Sequence, residues 1–83
     1  MSLSITPIQK ARELDAEKSD SVDLAMPHPR SLYIGGDGDL KVTLDSDSAS
    51  VTFVGLTANT ILPIAAKRIW ATGTTATDLI GLI

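Results

Sequence analysis

The sequence predicts an all-β fold: a small antiparallel β-sandwich or barrel of five to six short strands, preceded by an extended or short-helical N-terminal arm. Apolar and polar residues alternate from residue 40 to residue 44, with the period of two that a half-buried strand requires. Clusters of Gly, Asp, Ser and Thr separate the apolar stretches, as tight turns do. With 83 residues, the chain is predicted to form a single domain with a small core.

The chain is predicted to divide into an arm and loop over residues 1–29 and a β domain over residues 30–83. From Pro7 to about Lys18 the residues favour a helix. Because the apolar stripe there is narrow and a helix so short is marginal without packing, an extended arm along a neighbouring surface remains the alternative. Residues 19–29 show no periodicity, and their two prolines favour an extended connecting loop.

The β domain begins with residues 30–54, which predict a meander of three short strands. Glycines at 35, 36 and 38 accept positive φ angles at little steric cost and predict the first turn. Asp and Ser side chains of residues 45–48 can hydrogen-bond their own backbone and predict the second turn.

The rest of the β domain contains two longer apolar stretches. Residues 61–71 predict a strand with Pro63 at a sheet edge and a bulge or sharp bend around residues 65–68, after a turn in which Asn59 takes a positive φ. Residues 77–83 predict the last strand, which is apolar on both faces. A strand buried on both sides needs more protein than one small subunit provides, so this pattern predicts self-association.

Charge is distributed unevenly along the chain. Nine of the ten acids but only three of the seven bases lie within residues 13–47, which gives that segment a net charge of −6 against +3 for the rest. In residues 48–83 only Lys67, Arg68 and Asp78 are charged. A monomer normally covers its surface with charged residues, so this half is expected to contact neighbouring subunits.

Composition excludes several classes of protein. There is no cysteine, and therefore neither a disulfide framework nor a thiolate zinc site. No basic stripe is present to bind nucleic acid, and no run of eighteen apolar residues is present to span a membrane. The first three residues lack the basic and apolar regions of a signal peptide.

No ligand-binding or catalytic motif in the sequence is complete. The glycines of residues 35–39 match neither a dinucleotide fingerprint nor a calcium-binding repeat in full. Residues 45–50 start like an EF-hand loop but lack its third oxygen ligand and its glycine. His28 is the only histidine, and the acid pairs lie at turns open to water rather than in a cleft that would raise a pKa. We therefore expect no enzyme activity, no catalytic residues, no cofactor and no metal site, with weak divalent binding at the turns as the lesser alternative.

Arg68 and Trp70 are predicted to share one face of a strand, with Lys67 on the other. They would form either a sugar-binding or peptide-binding surface, or the favoured alternative, a core tryptophan beside a salt-bridged arginine at the sheet rim. A subunit interface would use the same residue types. The residues expected at such an interface are Ile64, Arg68, Trp70, Leu79, Ile80 and Leu82.

Four segments of the chain resemble a known family. Residues 30–44, 51–55, 60–64 and 68–80 are similar to the small spike base proteins of tailed bacteriophages, prophages and gene transfer agents. The block Ala-Thr-Gly-Thr-Thr-Ala-Thr at residues 71–77 is the most specific part of the match. Residues 20–24 also resemble an upstream aspartate-rich segment of the family. The charged, helix-favouring residues 10–18 depart from the family, whose members tend to be extended there.

The resemblance implies a structural virion protein, made in the bacterial cytoplasm and located on the capsid surface. The resemblance also implies an oligomeric ring, with a pentamer as the candidate subunit number, that joins capsid vertex proteins to a spike fibre or adhesin. A small carbohydrate-binding β-module is the alternative and requires an exposed aromatic face around Trp70 and Tyr33. A small hydrolase is the third hypothesis and requires a pocket at His28 or the aspartates.

Overall fold

The computed structural model describes residues 10–83 of the chain. These residues form two antiparallel sheets, which confirms the predicted all-β sandwich. Six strands belong to the predicted β domain and β1 belongs to the arm. The strands are β1 (Ala11–Glu13), β2 (Ser31–Gly36), β3 (Gly38–Leu44), β4 (Ser50–Leu56), β5 (Thr60–Leu62), β6 (Ala66–Ile69) and β7 (Thr77–Leu82). Within residues 10–83 no helix is long and apolar enough to cross a membrane.

The core lies between a four-stranded sheet, in the order β1-β7-β2-β5, and a three-stranded sheet, in the order β4-β3-β6. Alternate residues of the central strands β2 and β3 point inward and are fully buried, as the period of two requires. The core is aliphatic and includes two residues of the arm. Its buried members are Leu14, Leu24, Leu32, Ile34, Leu40, Val42, Ala66, Ile69, Ala76 and Leu79.

The N-terminal arm is extended where the structure describes it. Strand β1 pairs with β7, with Arg12 opposite Gly81, and a single 3₁₀ turn (Asp15–Glu17) follows it. The helical interpretation is therefore wrong for residues 11–18, and its start at Pro7 lies outside the described residues. Tertiary contacts explain the difference, because pairing with β7 and burying Leu14 outweigh a weak helix propensity.

The predicted meander is wrong at its first turn and right at its second. Strands β3 and β4 form the expected hairpin, but β2 and β3 belong to different sheets. The chain changes sheet at a tight corner where Gly38 has a φ of 150°. A Cβ at Gly38 would lie 2.5 Å from the backbone nitrogen of Ala76. The glycines therefore allow a close approach between the corner and the loop before β7.

The long apolar strand predicted after the hairpin is divided between the two sheets. Strand β5 pairs with β2, and β6 pairs with β3. The change of sheet occurs at residues 63–65, at the start of the predicted bend, and Pro63 follows an edge strand as expected. The positive φ of Asn59, at 66°, and the last strand, β7, are also confirmed.

The loop between β6 and β7 packs beside the first half of β3, where β6 no longer pairs with it. The backbone nitrogen of Lys41 donates to Oγ1 of Thr74 at 3.0 Å, and that of Asp39 donates to Oγ1 of Thr75 at 2.8 Å. Thr74 is buried, with 8% of its surface exposed. The hydroxyls of Thr74 and Thr75 thus accept hydrogen bonds from the backbone N–H groups of β3 that would otherwise bond to a neighbouring strand. The threonine-rich block at residues 71–77 therefore has a structural role.

Candidate functional site

The six residues expected at an interface do not form one patch. Arg68 and Trp70 lie on the outer side of the three-stranded sheet, where their side chains meet. The directions of Ile80 and Leu82 place them on the outer face of the four-stranded sheet, half-buried. Ile64 lies in the bend between β5 and β6 and packs partly against the core. Leu79 is fully buried in the core, so its side chain is not available to a neighbouring subunit.

Trp70 is held on the outer face of its sheet by three neighbours. Nζ of Lys41 lies 4.6 Å from the ring centroid and Cζ of Arg68 lies 5.3 Å from it. The indole nitrogen donates a hydrogen bond to Oγ1 of Thr43 at 3.0 Å. Nε of Arg68 also pairs with a carboxylate oxygen of Asp23 at 2.9 Å. The salt-bridged arginine is as predicted, whereas the tryptophan is half-buried rather than in the core.

A shallow cavity of about 340 Å³ lies beside this tryptophan. Its walls combine an aromatic ring, two cations, two hydroxyls and a carboxylate, supplied by Asp23, Thr43, Ser48, Lys67, Arg68 and Trp70. Tyr33 belongs to β2 of the other sheet. The two aromatic residues therefore do not form the shared exposed face that the carbohydrate-binding alternative required.

The outer face of the four-stranded sheet carries a row of apolar side chains. Tyr33 is paired with Ile61 on one side and with Ile80 on the other, so the three side chains lie next to one another. The hydroxyl of Tyr33 donates to Oδ1 of Asn59 at 2.7 Å, and Ile61 is 58% exposed. This row is the apolar second face predicted for the last strand.

One side of the sandwich, formed by β4, β5 and the turn between them, is here called the open edge. Both strands lie at the end of their sheet and pair on one side only. Residues 48–66 contain no charged residue and no histidine. Val54 is 76% exposed and Val51 45% exposed. The open edge therefore presents apolar side chains and unpaired backbone to solvent, which is typical of a surface that associates.

The opposite side, formed by β1, β6 and residues 14–29, is here called the closed edge. The backbone nitrogen of Ser19 donates to the carbonyl of Ile69 at 2.9 Å, and that of Leu24 donates to the carbonyl of Lys67 at 2.8 Å. Leu14 and Leu24 anchor the same segment in the core. The edge of β6 that does not pair with β3 is thus hydrogen-bonded to the arm of the same chain.

The carboxylates of the acidic segment bind backbone N–H groups, a role that sequence reasoning missed. Asp15 accepts from the nitrogens of Asp78 and Leu79, each at 3.0 Å. Asp37 accepts from Ala58 at 2.6 Å, and Asp39 accepts from Gly55 at 2.9 Å. Asp39 lies in β3 and Asp15 in the 3₁₀ turn, whereas the N–H groups that they bind belong to β4 and β7, so no local signal in the sequence could have paired them.

Asp20 makes the same kind of contact with Thr72. Its two carboxylate oxygens accept from the hydroxyl of Thr72 at 2.5 Å and from the backbone nitrogen of Thr72 at 2.8 Å. These hydrogen bonds, the hydroxyl first and then the backbone N–H, lower the pKa of Asp20 below its ordinary value of 3.8. The contact ties the arm to the loop after β6.

The remaining candidates for chemistry also make structural contacts. Nδ1 of His28 lies 2.7 Å from Oδ1 of Asp45, so the histidine joins the arm to the β3–β4 turn. In the part of the chain that the structure describes, no group of three or more His, Asp or Glu side chains is placed to hold a metal ion.

A solved structure is similar to nearly the whole chain. It is the capsid of a native gene transfer agent (GTA) particle, computed with C5 symmetry. The TM-score is 0.81 and the sequence identity 36%, over 94% of this chain and 86% of that chain. The chain belongs to the family of this GTA capsid protein. No family model matches the chain, and no curated protein matches it significantly.

Membership in the GTA capsid protein family confirms the coarser part of the expected function. The family is one of virion structural proteins, and its place is the virion. The expected relation to gene transfer agents and phages is confirmed at the same level. The role of spike base and the attachment of a fibre are finer statements and are proposed below.

Proposed function

We propose that this protein is the base of a capsid spike, a ring of subunits at a fivefold capsid vertex that holds a fibre or adhesin. The observation that carries the proposal is the match, at 36% identity over nearly the whole chain, to part of a GTA capsid. The resemblance of the β domain to spike base proteins favours this position in the particle. The partners are further copies of this chain, capsid vertex proteins below the ring and a fibre above it.

The number of subunits that we propose is five. The related capsid was computed with C5 symmetry, which is the symmetry of a capsid vertex. In a cyclic ring each subunit presents two different surfaces, one to each neighbour. The open edge and the closed edge of this sandwich are two such surfaces at opposite sides of the molecule.

The contact surface that we propose includes the open edge together with predicted residues that remain accessible. Ile64 adjoins the open edge after β5. Ile80 and Leu82 are half-buried on the outer face of the four-stranded sheet, and Arg68 and Trp70 are half-buried on the other sheet. Apolar residues, tryptophan and arginine are the residue types that interfaces favour.

Mass in solution and binding to particles test this proposal. Light scattering coupled to size exclusion, over a dilution series, is expected to give about five times the 8.7 kDa chain. Particles that lack this protein are expected to bind the added ring at their vertices and then to attach the fibre. A monomer at every concentration that also fails to bind such particles would contradict the role of spike base.

A second candidate function, carbohydrate binding, is favoured by the cavity beside Trp70. The cavity offers an aromatic ring for apolar contact and cations and hydroxyls for hydrogen bonds with the hydroxyl groups of a sugar. The substitution Trp70→Ala separates the two functions. If the natural protein binds no glycan and the variant no longer forms the ring of subunits, the spike base is supported. If the variant keeps the ring of subunits but no longer binds a glycan, the carbohydrate-binding module is supported.

A further inference from the structure

The four-stranded sheet ends in two short strands that run in opposite directions. Its order is β1-β7-β2-β5, and each neighbouring pair in it is antiparallel. Because the number of strands is even, β5 runs opposite to β1. Each of the two has three residues, and among residues 10–83 each pairs with a strand on one side only. A second copy of the sheet, placed beside the first in the same orientation, therefore brings β5 and β1 together as an antiparallel pair.

The backbone of β1 presents two residues to its free side. The carbonyl of Lys10 accepts from the nitrogen directly after β7, and the nitrogen of Leu14 donates to a carbonyl of β7. Residues of an antiparallel strand direct their backbone groups alternately to either side, so Arg12 also bonds to β7. Ala11 and Glu13 therefore direct their N–H and C=O groups away from β7, and both residues are exposed.

The backbone of β5 presents one residue to its free side. The carbonyl of Ile34 in β2 accepts from the nitrogen of Asn59, which shows that the backbone groups of Ile34 face β5. Its partner in the register is Thr60, so Thr60 bonds to β2. Ile61 is the next residue along β5 and therefore directs its N–H and C=O groups to the free side. Its side chain lies on the outer face of the sheet and is 58% exposed.

We propose that β5 of one copy pairs with β1 of the next copy in the ring, with Ile61 opposite Ala11 or Glu13. The four-stranded sheets then continue from subunit to subunit. This inference rests on the ring proposed above and names the backbone contact that closes it. The partners of Ala11 and Glu13 in β7 lie on the outer face, so these two side chains do as well, like that of Ile61. The joined strands therefore keep the same face towards the core.

A second copy is the occupant because the two ends of the sheet fit each other. The related capsid was computed with C5 symmetry, and a cyclic ring brings two different surfaces of identical subunits together. The free backbone donors and acceptors of one strand find their counterparts on the other. Strand β5 is uncharged, whereas β1 carries Arg12 and Glu13, so the pairing places no like charges side by side. Backbone hydrogen bonds supply the affinity, as they do for other added strands.

The three-stranded sheet cannot continue in the same way. The free side of β6 is already hydrogen-bonded to the arm, since the carbonyls of Lys67 and Ile69 accept from backbone nitrogens of residues 19–24. The number of strands is odd, so β4 and β6 of adjacent copies would meet as parallel strands. Strand β4 therefore contributes exposed side chains, such as that of Val54, which the same contact covers.

Disulfide crosslinking tests the contact cleanly because the natural chain has no cysteine. Ile61→Cys is combined with Ala11→Cys or with Glu13→Cys, and at least one pair is expected to give, on oxidation, a ladder of multiples of 8.7 kDa up to the size of the ring. Within one chain the two positions lie three strand spacings apart, about 14 Å, which is beyond the reach of a disulfide. The control pair is Ile61→Cys with Ala71→Cys, an exposed position after β6 in the other sheet, and it is expected to give no ladder.

The substitution Ile61→Pro tests the backbone hydrogen bonds directly. Proline has no N–H group, and an edge strand tolerates it where the N–H faces solvent. The variant is therefore expected to keep the urea denaturation curve of the natural chain and to lose the ring in light scattering. Ile61→Thr is the matched control, because it keeps the N–H group and the β-branched shape, and it is expected to retain the ring. If Ile61→Pro fails to fold, the crosslinks decide alone.

Three outcomes overturn the inference: no ladder from either pair, a dimer formed by Ile61→Cys alone, or a folded Ile61→Pro variant whose ring persists on dilution as that of the natural chain does. If the natural protein still forms a ring that binds particles in those cases, the proposed function stands and only this contact is wrong. A natural protein that stays monomeric and binds no particles contradicts the role of spike base and this contact together.

Discussion

The open and closed edges of the sandwich use opposite kinds of residue. The closed edge is rich in charge, and its acids are engaged with partners of the same chain, such as Asp20 with Thr72 and Asp23 with Arg68. The open edge has no charged residue between positions 48 and 66, and its longest strand has one unpaired side. Charge in this chain thus stabilises the fold, and the uncharged edge is the one proposed above for association.

Differences in local structure explain where the carboxylates lie. Residues 14–29 contain no strand, so few of their backbone groups can bond in a ladder. Backbone N–H groups outside the ladders need another acceptor, and a nearby Asp or Glu supplies it. Glu17, for example, accepts from the backbone nitrogen of Ala25 at 3.1 Å and pairs with Arg12 at 2.7 Å.

The largest expected effect comes from removing the closed edge's anchor in the core. Leu14→Ala deletes a fully buried side chain and leaves a cavity, so we expect the free energy of unfolding to fall by about 2–5 kcal/mol. Urea denaturation followed by circular dichroism measures this change. Val22→Ala is the matched control in the same segment, because Val22 is 63% exposed, and it is expected to change stability by less than about 0.5 kcal/mol.

A charge on the open edge is expected to act on assembly instead of folding. Val54→Lys places a lysine on the exposed side chain of β4, where charge opposes pairing with another strand. We expect the protein concentration at which the proposed ring dissociates to rise at least about tenfold, which corresponds to about 1.4 kcal/mol per contact between subunits. Light scattering over a dilution series measures the shift. A fall in urea stability comparable to that of Leu14→Ala would show that the open edge also supports the fold.

Loss of one carboxylate is expected to have an intermediate effect on stability. Asp15→Ala leaves the backbone N–H groups of Asp78 and Leu79 without their acceptor, so we expect a loss of about 1–2 kcal/mol. Asp15→Asn keeps one acceptor oxygen and should lose less. Equal stability of the two variants and the natural chain would mean that water replaces the carboxylate at no cost.

The β strands were predictable because their signals are local. Alternation located β3, apolar stretches between turns located β4 and β7, and the residue types of turns located Asn59 and the β3–β4 turn. The assignment of strands to sheets was not predictable, because a glycine corner and a hairpin turn look alike in sequence. Gly36 and Gly38 allow the chain to change sheet, and only the contacts of the corner with Ala76 and Thr77 show it.

The candidate site was only partly predictable for a similar reason. The shortage of charge in residues 48–83 predicted contacts with neighbouring subunits, and within that range the structure places the uncharged strands β4 and β5 at one edge. The individual residues were harder to choose, since core and contact positions are equally apolar. Leu79 and Ile80 are neighbours in sequence, yet one is fully buried and the other lies half-buried on the opposite face of β7.

The smallest expected effect is a change in the pH dependence of stability at the closed edge. The pKa of Asp20 is lowered in the folded protein by its hydrogen bonds with Thr72. A lowered pKa means that the carboxylate stabilises the fold fully above its ordinary pKa of 3.8 and that this contribution is lost as the pH falls below that value. Asp20→Asn removes this titratable carboxylate. The variant should therefore be less stable than the natural chain at pH 6, and the difference in stability should shrink towards pH 2.

Two further variants separate this hydrogen bond from general acid sensitivity. Thr72→Val keeps the shape of the side chain and removes the hydroxyl, so the pKa of Asp20 should rise towards its ordinary value in an NMR titration of the carboxyl carbon. Thr72→Ser keeps the hydroxyl and should leave the pKa low. We expect none of these variants to alter assembly at pH 7, because the carboxylate of Asp20 is already engaged with Thr72 of the same chain. A ring weakened by Asp20→Asn at pH 7 would instead mean that the closed edge contributes charge to the contact between subunits.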